Sequence, residues 1–209
     1  MDNYMENTSA IICCAGTGSR LGISTSKSLI DIGGVPLIIR LLEQLKDLKD
    51  IRIVVGYCAD DVVKVVSNYR KDIMFVFNYN YESNGPAASV SKALDYCKEN
   101  VLIIDGDTIL KSNLNELLKS EENCIAYSDA VIKEPIHVNI NKENMATKFY
   151  DEKKCYEWTG IAKIKRDDLA KRDDDVYKMI EPLMPLKAIK IEYMGIDTQD
   201  DYENAMKWF

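Results

Sequence analysis

Four continuous apolar runs, at residues 9–14, 51–55, 73–77 and 101–104, alternate with stretches of helical periodicity, and this alternation constrains the chain more than any other feature. Such uniformly apolar runs are strands buried on both faces, which requires a parallel sheet with helices on either side. The helices are legible from their stripes. Over about 36–48, Ile38, Leu41, Leu42, Leu45 and Leu48 share one face, and Pro36 suits the first helical position. Over about 60–70 the stripe is Val62, Val65, Val66 and Tyr69; a third helix begins near Pro86 and carries Ala87, Val90, Leu94 and Cys97. Each is amphipathic enough to cover a sheet. The expectation is an α/β fold of three layers with a mixed, mostly parallel sheet.

After Asp107 the rhythm changes. A short helix near 113–119 precedes β-like segments near Ile125, Val138, Lys148 and Trp158, which points to a partly antiparallel second half. A further strand over 187–194 and a closing helix over 198–209 follow, with Thr198 and Asp201 spaced as a capping-box variant. No linker, internal repeat or low-complexity segment divides the chain, so its 209 residues read as a single domain over 1–209 with a short extension at 1–8. A fold of this size buries roughly 70% of its extended surface and needs no disulfide staple.

Lys and Arg number 27 and Asp and Glu 34, a net charge of −7, which excludes a broad electrostatic grip on nucleic acid or anionic lipid. A polyphosphate ligand would then need a few placed cations and a divalent metal. No apolar run approaches the length of a membrane-spanning helix, and residues 1–8 are polar with no secretion-signal pattern, so a cytoplasmic location is expected. The six cysteines show no CxxC spacing and read as reduced core residues. His137, the sole histidine, reads as a strand or loop residue, leaving little for a Cys/His zinc site.

Two segments stand where α/β sheets bind ligands. The first strand runs into Ala15-Gly16-Thr17-Gly18-Ser19-Arg20-Leu21-Gly22, a turn whose amides suit a phosphate. The dinucleotide pattern GxGxxG fails at Leu21, and no carboxylate follows Val55-Gly56. The P-loop pattern fails because Ser26 precedes Lys27. What remains is GxGxR followed by Lys27, two cations beside glycine amides; a plain solvated turn is the competing reading. The second segment, Val101 to Asp107, ends a buried strand in Asp105-Gly106-Asp107, where carboxylates suit Mg²⁺ or merely cap a turn. Asp197 ends another strand, as a third ligand or as a helix cap.

With these residues in view, the chain resembles the nucleotidyltransferases that activate phosphorylated sugars, choline and polyols. Cys14-Ala15-Gly16-Thr17-Gly18-Ser19-Arg20-Leu21 with Lys27 is similar to their LAAGxGxR…PK signature, and Gly33-Gly34-Val35-Pro36-Leu37-Ile38 to their GKPLI segment. Val54-Val55-Gly56-Tyr57, Glu82-Ser83-Asn84-Gly85-Pro86-Ala87, Asp105-Gly106-Asp107, Trp158-Thr159-Gly160-Ile161 and Gly195-Ile196-Asp197-Thr198 each fall where that family has a counterpart. Two positions depart from the pattern: Ser26 stands for the proline before the lysine, and Pro86 for a frequent threonine. The resemblance implies a Rossmann-like sandwich in which Ala15, Gly16, Thr17, Gly18, Ser19, Gly56, Asn84, Gly85 and Asp105 bind the nucleotide. It also implies that Arg20 and Lys27 hold the triphosphate as catalytic residues, that Asp107 and Asp197 bind Mg²⁺, and that Glu157, Trp158, Thr159 and Gly160 face the acceptor.

The implied reaction joins a phosphorylated small molecule to a nucleoside triphosphate and releases pyrophosphate, by a monomer or homodimer. Cell-surface polysaccharide synthesis is a setting in which such enzymes serve. A phosphate monoester, with a second pKa of about 6, is already ionised near neutrality, so no general base is needed and the scarcity of histidine fits. The short chain resembles the small cytidylyltransferases, which favours CTP. Tyr79, Tyr81, Tyr150, Tyr156 and Trp158 would either cage a quaternary amine or simply pack on strands. Two other classes stay open: a metal-dependent glycosyltransferase, whose metal motif Asp105-Gly106-Asp107 also matches, and a non-catalytic nucleotide sensor.

Overall fold

The computed structural model describes residues 3–18, 21–22, 24–130, 135–150 and 155–209. The first half runs α1 (Asn3–Glu6), β1 (Thr8–Cys14), β2 (Asp31–Ile32), β3 (Val35–Pro36), α2 (Leu37–Gln44), β4 (Asp50–Val55), α3 (Ala59–Tyr69), β5 (Ile73–Phe77), α4 (Pro86–Ala93) and β6 (Asn100–Asp105). The second runs β7 (Thr108–Leu110), α5 (Asn115–Lys119), β8 (Cys124–Asp129), β9 (Val138–Ile140), β10 (Met145–Phe149), β11 (Tyr156–Lys165), α6 (Val176–Ile180), β12 (Leu186–Lys190), β13 (Tyr193–Gly195) and α7 (Gln199–Met206).

Nine strands form one sheet in the order β5-β4-β1-β6-β11-β8-β12-β10-β9. The four apolar runs are its parallel half, β5-β4-β1-β6. Then β11 enters antiparallel between β6 and β8, β12 lies parallel to β8, and β10 and β9 finish antiparallel. The chain goes from β1 outward to β4 and β5, then returns to place β6 on the other side of β1. A crevice therefore opens above the carboxyl ends of β1 and β6, where such sheets bind ligands.

Period-two alternation divides the core. Ala10, Ile12 and Cys14 of β1, with Leu102 and Ile104 of β6, face a layer built by α2, α3 and α5. Ile11, Val101 and Ile103 face the opposite layer, which holds α4 and α6. The sheet and its two helical layers are the expected three-layer sandwich. A smaller cluster of Ile30, Ile32, Leu37, Ile109, Ile196 and Ala205 seats α7. The buried Lys163 ammonium is satisfied: its Nζ donates to the carbonyls of Leu118 (2.8 Å) and Ser120 (2.7 Å), capping the end of α5.

Several boundaries differ from expectation. The periodic stripe over 36–48 is helical only over Leu37–Gln44, because Leu45 and Leu48 stay buried through two turns. The strand expected over 187–194 is two strands. At Ile191 the N–H turns to the Tyr127 carbonyl, the Glu192 carbonyl accepts from Lys111, and the chain leaves the large sheet to pair with β7. The cysteines are not all core: Cys14, Cys97 and Cys124 are buried, while Cys155 is exposed. Of the expected extension at 1–8, Asn3–Glu6 is a single helical turn and Thr8 already belongs to β1. No helix among the described residues is long and apolar enough to cross a membrane.

Candidate active site

A cleft of about 400 Å³ lies between the carboxyl ends of β1 and β6. Its rim carries Ala15, Gly16, Thr17 and Gly18 from the loop after β1, Asn84 and Gly85 from the turn before α4, and Asp105 and Asp107 from the end of β6. Lys27 closes one side. Ser19 and Arg20 lie outside the described residues.

The spacing from the glycine turn to Lys27 has a steric reason. Gly18 sits at φ +61°, and a Cβ there would stand 2.6 Å from Lys27 Cγ, so the lysine stem crosses the loop only because position 18 has no side chain. Lys27 opens a 3-10 turn, Lys27–Leu29. Before it, Ser26 holds φ −64°, the angle a proline would impose, and its hydroxyl pairs with that of Ser28 at 2.9 Å. The serine that departs from the family pattern therefore preserves the local geometry.

Lys27 Nζ donates to Asp107 Oδ2 at 3.0 Å and to Asp197 Oδ1. Burial alone would lower the ammonium; the charges of Asp107 and Asp197, and the hydrogen bonds they accept, outweigh it and hold Lys27 above its ordinary value. The two carboxylates, 90 positions apart, are brought together by the β7–β13 ribbon, where Thr108 pairs with Gly195 and the Ile196 N–H reaches the Asp107 carbonyl at 2.9 Å. Asp197 is not the cap of α7; Thr198 is. Its carboxylate is left to face Lys27.

Asp105 is a different kind of carboxyl. Burial first, then the charges of Asp107 and Asp197, push it up to about 8, and Lys27 only partly offsets them. It rests on Gly160, whose φ is +73° and where a Cβ would collide with Asp105 Oδ2. Cys14, beneath Gly106, is raised to about 12 by burial first, so it is an inert thiol rather than a nucleophile.

The remaining predicted residues take supporting places. Gly56 lies under the loop, where a Cβ would stand 2.8 Å from the Ala15 carbonyl, which accepts the Tyr57 N–H at 3.0 Å. Gly85 lines the cleft, but its N–H is spent on the Asp173 carbonyl at 2.7 Å. Glu157, Trp158, Thr159 and Gly160 do not line this cleft; they belong to β11. Glu157 is wholly buried and shares a hydrogen bond with the Tyr193 hydroxyl. Trp158 packs on Phe149 at 5.4 Å and donates from Nε1 to the Ile161 carbonyl. The register of β11 on β8 slips between Trp158 and Ala162, and Thr159 Oγ1 fills the gap by donating to the Ala126 carbonyl at 3.0 Å. Thr159-Gly160 is thus a bulge.

The expected aromatic residues do not form one cage. Tyr156 packs edge-on to Tyr127, Tyr150 to Tyr177, Tyr81 tilts on Tyr57, and Tyr79 stacks on Phe77 in a largely exposed pair. His137 lies beside β11, its Nδ1 3.4 Å from the Tyr156 carbonyl. Tyr81, one of the expected aromatics, does line the cleft, and sequence reasoning missed Asn78 and Ser89 on the same wall. Asn78 Nδ2 donates to Ser89 Oγ at 3.1 Å, and its Oδ1 accepts from the Asn80 N–H. The available signal was an asparagine directly after an apolar strand and a serine within the apolar face of a helix.

Comparison with known proteins agrees with this geometry. The MobA-like NTP transferase domain profile matches residues 10–148, from β1 through the glycine loop, Lys27 and Asp107 into β10. The chain belongs to the MobA-like NTP transferase domain family. Among curated relatives, it is 36% identical over 114 residues to the bifunctional protein GlmU of Methanocaldococcus jannaschii, covering 53% of this chain and 27% of that one. It is 34% identical over 110 residues to the choline-phosphate cytidylyltransferase of Haemophilus influenzae, covering 50% and 46%. The chain thus matches less than half the length of these relatives. Its fold is that of the CTP:phosphocholine cytidylyltransferase LicC of Streptococcus pneumoniae, with a TM-score of 0.79, 20% identity and coverage of 97% and 99%.

Proposed function

We propose that this NTP transferase chain catalyses nucleotidyl transfer from a nucleoside triphosphate, CTP foremost, to a phosphorylated small molecule such as phosphocholine, a polyol phosphate or a sugar phosphate. A phosphate oxygen of the acceptor attacks the α-phosphorus; the bond from that phosphorus to the bridging oxygen breaks, and pyrophosphate leaves. The observation that carries the reading is the convergence of Lys27, Asp107 and Asp197 beside the glycine loop. Among the described residues no cluster of three or more His, Cys, Asp or Glu stands ready for a metal. Two carboxylates aimed at one cationic point nonetheless suit Mg²⁺, which takes one or two protein carboxylates and completes its shell with water and substrate phosphate.

On this reading Asp107 and Asp197 hold the metal, which when bound neutralises charge developing on the triphosphate. Lys27 places its ammonium on the phosphates, and the Gly16–Gly18 segment lets backbone come close to them. Asn84, Gly85 and the Asn78–Ser89 pair shape the nucleoside end of the cleft. CTP is favoured because a relative and the structural neighbour named above are cytidylyltransferases. The test is pyrophosphate release from CTP, UTP, dTTP, GTP and ATP against a panel of phosphorylated acceptors, with and without Mg²⁺. Release with CTP, dependent on Mg²⁺ and on one acceptor class, is expected; release from no triphosphate with any acceptor contradicts the proposal.

A further inference from the structure

We propose that Asp201 is a positioning residue for Asp197: by accepting the backbone N–H groups that flank the Asp197 side chain, it fixes the turn that aims this carboxylate at Lys27. The turnover arm of the test rests on the function proposed above; the geometry does not.

Asp201 lies in the first turn of α7 and is only 9% exposed. Its Oδ2 accepts three hydrogen bonds, from the Asp197 N–H (3.1 Å), the Thr198 N–H (2.8 Å) and the Thr198 hydroxyl (2.8 Å). A capping box needs only the Thr198 N–H and the return bond from the Asp201 N–H to Thr198 Oγ1 (3.3 Å). The bond to Asp197 is additional, and it acts on the residue whose carboxylate meets Lys27 at the side of the cleft.

Asp197 is held from both sides. Upstream, β13 pairs with β7 and the Ile196 N–H reaches the Asp107 carbonyl, which fixes the backbone of one carboxylate against the other. Downstream, the Asp201 carboxylate accepts the Asp197 N–H. Without it the turn keeps its ribbon anchor but loses the contact that sets the twist between Asp197 and the helix. A misplacement of about 1 Å at such a site is enough to cost rate heavily.

Helix capping and positioning are separable experimentally. Thr198→Ala removes the cap hydroxyl but leaves the Asp201 bond to Asp197; Asp201→Ala removes both, and Asp201→Asn keeps one carbonyl acceptor for the three donors. The first readout needs no substrate: acetylation of Lys27 by limiting acetic anhydride, followed by peptide mass spectrometry. A loosened Asp197 weakens one partner of the ammonium, so Lys27 in Asp201→Ala should be labelled about fivefold faster than in the wild type, the net scale of one ordinary hydrogen bond. Asp201→Asn should fall between, and Thr198→Ala should match the wild type despite its lower melting temperature. The second readout is turnover: Asp201→Ala should lower kcat about tenfold with the nucleotide KM nearly unchanged, the signature of lost orientation rather than lost binding. Equal Lys27 labelling in wild type and Asp201→Ala, or equal acceleration in Thr198→Ala, overturns the proposal. If Asp201→Ala does not fold, Asp201→Asn against Thr198→Ala decides in the same way. Wild-type protein without turnover would sink the proposed function while the labelling still decides the role of Asp201.

Discussion

The cleft between β1 and β6 and the bulge of β11 were both expected to carry function, yet they are built on opposite principles. Around the cleft the predicted residues sit in loops at strand ends, where loop backbone, Asp105 and Asp107 line a cavity and Lys27 holds Asp107 and Asp197 together. Along β11 the residues Glu157, Trp158 and Thr159 are at most 6% exposed, and the side chains of Trp158 and Thr159 bond to neighbouring carbonyls. Changes at the cleft should therefore alter rate while the fold stands. Changes in β11 should alter stability first, because its polar side chains are consumed in packing.

The sharpest way to break this contrast is Asp107→Asn. Turnover should fall at least about a thousandfold, since the charge that balances Lys27, and that on the proposed reading holds the metal, is lost, while circular dichroism and melting stay near wild type. Normal pyrophosphate release from this variant would remove Asp107 from the chemistry. Next, Lys27→Ala should lower kcat/KM for the nucleoside triphosphate about a hundredfold, the scale of charge-assisted bonds to phosphate at a low-dielectric site. Steady-state kinetics at fixed acceptor would show it, and an unchanged value would place the triphosphate elsewhere.

On the other side of the comparison, Gly160→Ala should destabilise the fold by about 2 kcal/mol, from left-handed backbone and a collision with Asp105. A urea midpoint equal to wild type would show that the bulge is pliable. The buried carboxyl resting on this bulge also imposes a pH slope. With its folded value raised to about 8, Asp105 keeps a proton in the native chain that the unfolded chain has already released, from the ordinary value of 3.8 upward. In chelator, stability should decline as pH rises through that window and level off above it. Asp105→Asn should flatten that decline in urea titrations; an unchanged slope would assign the proton to another group.

How far the sequence foretold these two regions follows from the length and locality of the signals. The apolar runs of β1, β4, β5 and β6 and the stripes of α2, α3 and α4 are long enough to show their period, so the strands of the parallel half were legible almost to the residue and its helices by their buried face, though the ends of α2 and α4 were not. The capping box of Thr198 and Asp201 was legible for the same reason, being local. The β2–β3 and β7–β13 ribbons are two or three residues per strand, too short for alternation to stand out. The meeting of Lys27 with Asp197 spans 170 positions and depends on that second ribbon, so only the resemblance pointed to it. The Thr159-Gly160 pair was visible as a motif, but its work as a bulge under Asp105 depends on β11 slipping against β8, which no local pattern records. Asn78 and Ser89 were passed over because a single polar residue in an apolar segment resembles noise until the other is seen beside it.

On the proposed reading the cleft between β1 and β6 is a metal-assisted nucleoside triphosphate site. Its most direct test is a thermal-stability panel with CTP, UTP, dTTP, GTP and ATP, each with and without Mg²⁺, alongside nucleotide diphosphate sugars. A ligand that binds only the folded chain adds about 2.7 kcal/mol at a hundredfold excess over its dissociation constant. Melting temperature should rise clearly with CTP, only when Mg²⁺ is present, and the rise should disappear in Asp107→Asn. No shift with any triphosphate, together with a shift from a nucleotide diphosphate sugar, would contradict it.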